Sequence, residues 1–223
     1  MTDRPDTPRS RRERPAKAAL TRDGIVAAAV AVLRAEGLPK VTMRRLAQEL
    51  DTGPASLYVY VRNTAELHAA VLDELLGTIG PAPAEGPWRE RLEGVLTAYA
   101  LMLFDHPTLA RSALTARPSG PHYLNLIETL LALLDEGGVP SAQAAWGVDL
   151  LLQHATATAA EHAAEAPAED WDAVHRAVRD IDAGSHPHVA ALAGELLSGE
   201  PAERLSWALR ALIAGIERTA VTH

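Results

Sequence analysis

Two tyrosines, Tyr58 and Tyr60, stand close together in the short segment Pro54-Ala-Ser-Leu-Tyr-Val-Tyr60. Read as a helix, the segment turns Leu57 and Val61 inward and leaves Ala55, Ser56, Tyr58, Val59 and Tyr60 facing away. Two phenols on the outer side of so short an element are expensive for an idle surface. Their hydroxyls can donate to phosphate oxygens and their rings can pack against sugars. The small Ala55, Ser56 and Val59 would let the element sink into a major groove. Arg44, near the start of the preceding helical stretch, can reach a guanine edge or a phosphate.

Other chemistry finds less support. There are nine histidines, but the nearest pairs are His186 with His188, at a proline-punctuated turn, and His154 with His162, two helical turns apart. Neither pair has a carboxylate at ligand spacing, so no metal is expected. No phosphate-binding glycine loop, Ser/His/Asp set or carboxylate pair is visible, which argues against an enzyme and calls for no cofactor. Trp88, Trp146, Trp171 and Trp207 read as core or interface anchors. His106 before Pro107 reads as a helix-terminating residue.

The elements that must position the tyrosines can be traced by periodicity. Thr21 can cap a helix with Ile25, Ala28, Val32 and Leu33 on one face, stopped by Gly37. Thr42 can cap a second, with Met43, Leu46, Ala47 and Leu50 inward. Asp51-Thr52-Gly53 breaks it, and Pro54 suits the first position of a third helix, Pro54 to Tyr60. Residues 42–60 thus have the arrangement of a helix-turn-helix. Asn63 and Glu66 have capping-box spacing at the start of a fourth helix through Leu67, Val71, Leu72 and Leu75.

The stretch from Gly80 to Pro87, rich in Gly and Pro, marks a break. Beyond it helical patterns run over 87–105, 107–114, 121–136, 141–164, 170–181, 187–198 and 201–219. The helix 141–164, mostly Ala and Leu, is expected to be largely buried. No β-branched alternation is sustained anywhere, so the fold class is all-α.

Charge separates the same two parts. Residues 1–68 carry 12 Lys and Arg against 8 Asp and Glu, a net of +4, whereas 69–223 carry 9 against 21, a net of −12. An acidic body repels phosphates, so nucleic acid must meet the N-terminal third. Residues 1–19 are polar and Arg-rich and read as a disordered basic arm. That N-terminus does not read as a secretory signal, no apolar run has membrane length, and cysteine is absent. The expectation is a cytoplasmic protein.

The stretch from Leu20 to Ile79, with its MRRLAQEL, LYVYV and RNTAEL motifs, resembles the DNA-binding domain of the tetracycline-repressor (TetR) family. The resemblance implies that Thr42, Arg44, Pro54, Ala55, Ser56, Tyr58, Val59 and Tyr60 occupy DNA-facing positions. A Lys common in the family just after the Asn is Thr64 here, so Arg62 or the basic arm would supply that phosphate contact. The C-terminal part is similar to the ligand-binding domain of the tetracycline repressors through Trp88, Arg117-Pro118, Tyr123 and the Gly-rich turn before 141–164. Their chelating His is Ala113 here, a second drug-holding His falls near Gly80, a pocket Asn is Val95, and an aromatic is kept in type as Tyr99. Tetracycline itself is therefore not the expected ligand.

The expected organisation is a basic arm (1–19), a helix-turn-helix domain (20–67) and a helical ligand-binding and dimerisation domain (68–223). An apolar cavity is expected among Val95, Tyr99, Leu103, Ala116, Leu126, Thr129 and Val148. The expected function is a repressor, released from a palindromic operator by a small, largely apolar inducer. It would act as a homodimer through helices 141–164 and 201–219, with recognition helices about 34–36 Å apart. Two alternatives stand beside it: a DNA-binding protein without a ligand, and a helical enzyme with an incidental helix-turn-helix.

Overall fold

A computed structural model describes residues 19–114, 118–162 and 168–222. Among these residues the regular structure is entirely helical. The N-terminal helices are α1 (Arg22–Glu36), α2 (Met43–Glu49), α3 (Pro54–Leu57) and α4 (Thr64–Leu76), with a 3-10 turn at Leu38–Lys40. The body contains α5 (Trp88–Phe104), α6 (Pro107–Ala113), α7 (Pro121–Glu136), α8 (Ser141–His162) and α9 (Ala168–Arg179). It closes with α10 (Pro187–Ala191), α11 (Ala193–Leu196) and α12 (Pro201–Arg218).

Local chemistry sets the N-terminal boundaries. The hydroxyl of Thr21 accepts from the amide of Gly24 at 3.0 Å, and that of Thr42 from Arg45 at 3.2 Å. Asn63 accepts from Glu66 at 2.8 Å. Each satisfies a first-turn N–H that has no partner inside its helix. Glu66 reaches back to the amide of Arg62 at 2.9 Å instead of closing the expected box on Asn63. Gly37 ends α1 with φ +83°, a conformation that favours glycine, and donates to Leu33 O.

Two expected helices come out differently. The third ends at Leu57, with residues 58–60 in turn conformation. The stretch 187–198 is two short pieces meeting at Leu192, with no buried residue in either; a segment without a buried face has little to hold it straight.

A single apolar core runs from Ile25 on α1 to Ile216 on α12. α4 connects its two ends, packing on α1 and also on α6 and α7. In the body α8 is central, packed by α5, α6, α7 and α12. The expectation that α8 is largely buried holds for one side only. Val148, Leu151, Leu152, Ala155 and Ala159 are buried, but Leu150 is 42% exposed and Trp146 61%. Trp207 on α12 is 68% exposed. Trp88 is half-buried, packs against Gly137, and has the Arg89 guanidinium 4.5 Å from its ring centre. The side chain of Trp171 lies outside the described residues.

Candidate nucleic-acid interface and internal cavity

The helix-turn-helix is built outward from two anchors, Leu57 and Val61, both fully buried. Between them Tyr58 is 52% exposed, Val59 79% and Tyr60 38%. Thr42, Arg44, Pro54, Ala55, Ser56, Arg62 and Thr64 are exposed as well. The turn after α2 places its left-handed residue at Asp51, φ +47°, a conformation short polar side chains tolerate; Gly53 has φ −85°. The amide of Thr52 closes the turn on Ala47 O at 2.8 Å.

The two adjacent arginines of α2 have different surroundings. Arg45 binds Glu36 of α1 at 2.7 Å and Glu49 at 2.8 Å, tying α2 to α1. The Arg45 hydrogen bond holds the Glu36 carboxyl below the usual carboxylate range, and both carboxylates raise the guanidinium. Arg44 lies exposed beside it. Arg62 is 86% exposed and its Nε donates to Glu66 at 3.0 Å, so a contact from Arg62 to phosphate would compete with that carboxylate. The ring of His68 on α4 lies 3.2 Å from Val41 O, which fixes the linking helix to the loop before α2.

In the body, a cavity of about 70 Å³ is lined by residues of α5, α6, α7 and α8: Tyr99, Ala113, Tyr123, Asp149, Leu152 and Thr156 among them. Leu114, Pro118 and Gln153 complete the lining. Tyr99 and Thr156 hydroxyls lie 2.7 Å apart, and Thr156 donates to Leu152 O at 2.7 Å, so the phenol donates to Thr156. Burial pushes the Tyr99 phenol up to about 12.

Of the cavity residues expected from sequence, Tyr99 lines this space. Val95, Leu103, Leu126 and Val148 are buried core residues outside the lining. Thr129 is half-buried and donates its hydroxyl to Asn125 O at 2.8 Å within α7. Ala116 lies outside the described residues. The lining is also more polar than expected. Asp149, Gln153 and Thr156 follow helical spacing on α8, and that polar stripe in an Ala/Leu-rich helix was the available signal.

A second, more open groove of about 420 Å³ lies where α1, α4 and α5 meet. Arg34, Leu75, Ile79, Met102, Asp105 and His106 are among its walls. Burial lowers the His106 imidazole first; Arg34 lowers it further and Asp105 opposes both. Among the described residues no three His, Asp or Glu side chains gather as a metal site would require. No described helix is long and apolar enough to cross a membrane.

Comparison with known proteins matches this geometry. Residues 25–71 fit the model of bacterial regulatory proteins of the tetR family, and residues 80–220 fit that of the tetracyclin repressor-like C-terminal domain. A transcription regulator from a Streptomyces species is 59% identical, with a TM-score of 0.82 over 93% of this chain and 99% of that one. ActR of Streptomyces coelicolor is 39% identical, with a TM-score of 0.79 over 90% of this chain and 96% of its own. The transcriptional repressor DrrR1 of Streptomyces coeruleorubidus is 36% identical over 125 residues, 55% of this chain and 46% of that protein. The chain spans about half the length of the curated relatives it matches. With both halves matched and the helix-turn-helix in place, the chain belongs to the TetR family of bacterial regulatory proteins.

Proposed function

We propose that this protein is a dimeric transcriptional repressor that leaves a palindromic operator when a small molecule fills its body. The observation that carries the reading is the exposed Tyr58-Val59-Tyr60 turn, held between the buried anchors Leu57 and Val61. Tyr58 and Tyr60 would donate to phosphates, and Ala55, Ser56 and Val59 would admit the segment to the major groove. Arg44 would read a base edge, while Thr42, Pro54, Arg62 and Thr64 would flank the backbone. The division into an arm (1–19), a DNA-binding unit (20–67) and a body (68–223) belongs to the same proposal.

Reading a palindrome needs two copies related by a two-fold axis. Leu150 and Trp146 on α8 and Trp207 on α12 offer an apolar surface for that pairing. We infer a cytoplasmic regulator, with DNA and one small molecule as its partners and no catalytic step.

The ligand reading is supported by ActR, whose structures have been solved with actinorhodin and with (S)-DNPA. At about 70 Å³ the cavity is smaller than ligand sites usually are, so an occupant must push its walls apart. Ala113, Leu114, Pro118 and Leu152 would cover an apolar body, and Tyr99, Thr156, Gln153 and Asp149 would meet its few polar groups. An occupant that favours an arrangement of the dimer unable to fit the operator lowers operator affinity, by up to the ratio of its affinities for the two arrangements. Actinorhodin is the first probe. Its dissociation constant should rise in the presence of operator DNA by the same factor by which it weakens operator binding. Equal constants for a probe bound in this cavity would refute induction and leave DNA binding standing.

A further inference from the structure

Asp73, on the linking helix α4, is 8% exposed, and among the described residues only it and Thr156 are buried polar residues. A carboxylate so placed must find donors. It finds them at the start of α7: the Tyr123 amide donates to Oδ1 at 2.9 Å, and the His122 amide lies 3.5 Å from Oδ2, at the outer limit of such a bond. These are first-turn amides of a 16-residue helix, the end that favours a negative charge.

Two glycines allow the approach. A Cβ on Gly120, which precedes α7, would fall on the Asp73 carboxylate itself. A Cβ on Gly77, one turn along α4, would come within 2.8 Å of the His122 ring. Neither glycine has a positive φ, −84° at Gly120 and −62° at Gly77, so space rather than backbone freedom excludes a side chain. The start of α7 and the last turns of α4 are thus fitted to each other through Asp73, Gly77, Gly120, His122 and Tyr123.

Tyr123 belongs to both sides of this contact. Its backbone N–H is held by α4, and it forms part of the cavity wall with Tyr99, Ala113 and Thr156. α4 in turn packs on α1 and leads directly out of the recognition turn. We propose that the Asp73–Tyr123 bond is the joint through which the cavity moves the DNA-binding unit, with Asp73 as a positioning residue. An occupant too large for the present space displaces Tyr123. The first turn of α7 shifts, and α4 follows because Asp73 holds it there. The inference rests on the proposed ligand-induced release and names the contact that transmits it.

The test needs no ligand. Ala113→Phe places a ring in the cavity as a permanent occupant, and Asp73→Leu keeps the approximate size of residue 73 while removing the oxygens that accept from the first turn of α7. Operator affinity is measured by fluorescence anisotropy for the wild type, each single variant and the double variant, at one salt concentration. The operator is the sequence selected by the wild type from random DNA. Thermal melting confirms that each is folded. The expected result is that Ala113→Phe weakens operator binding at least tenfold in the wild-type background and less than threefold with Asp73→Leu. Gly120→Ala, whose methyl displaces the carboxylate, should blunt the effect in the same way and serves in place of Asp73→Leu if that variant does not fold. Equal losses in every background would overturn the role of Asp73 while leaving the cavity coupled to DNA. No loss in any background would overturn the coupling itself.

Discussion

Arg45 and Glu36 stand 2.7 Å apart, a guanidinium on the first helix of the helix-turn-helix against a carboxylate at the end of α1. With Glu49 accepting from the same side chain, Arg45 serves the fold, and its neighbour Arg44 is left at the surface. Arg44→Ala should therefore weaken operator binding by roughly 1–3 kcal/mol and relax preference at one base pair, without moving the melting temperature. Arg45→Ala should lower the melting temperature instead. Melting curves and anisotropy titrations of the two variants, run in parallel, check the division.

The same pair sets a pH dependence. Because Arg45 depresses the Glu36 carboxyl in the folded chain, its contribution is fully present above the unfolded value of 4.5 and is lost as pH falls through the lower folded value. The melting-temperature difference between wild type and Arg45→Ala should be constant near neutrality and shrink below about pH 4.5. A difference that grows on acidification would contradict the assignment.

Inside the body, Thr156→Val removes the acceptor of the buried Tyr99 hydroxyl. Leaving that group without a partner should cost about 1–3 kcal/mol, read as a fall in melting temperature of roughly 3–10 °C. Adding Tyr99→Phe removes the orphaned hydroxyl as well and should recover part of the loss. Calorimetry on the single and double variants measures it.

Trp207→Glu, at a position 68% exposed on α12, should leave the chain folded and shift its mass in light scattering from two chains toward one at micromolar concentration. Operator affinity should fall with it, since a single helix-turn-helix contacts one half-site. A variant that stays dimeric would move the interface away from α8 and α12.

Local chemistry explains which features could be read before the fold. Thr21, Thr42 and Asn63 announce helix starts because a cap involves residues three apart, and Leu57 and Val61 are legible as anchors because their spacing alone gives them one face. Asp51-Thr52-Gly53 is legible as a break, but spacing does not tell which of the three is left-handed, since Asp and Gly can both adopt that conformation; it is Asp51. The cavity was hidden for a different reason. Whether Leu126 or Tyr123 faces it depends on how α7 leans on α4 and α8, and that follows from the Asp73 and Gly120 contact across 47 residues of chain. Spacing within α7 cannot reveal a neighbour so distant in sequence.

Whether the Tyr58–Tyr60 turn reads DNA from a two-fold dimer is tested by selecting bound duplexes from a random pool. The expected outcome is enrichment of an inverted repeat whose half-site centres are about one helical turn apart. Binding to it should fall steeply with salt and be lost on replacing Tyr58 and Tyr60 by Ala. Enrichment of no sequence, or an undiminished enrichment by the doubly substituted protein, would contradict it.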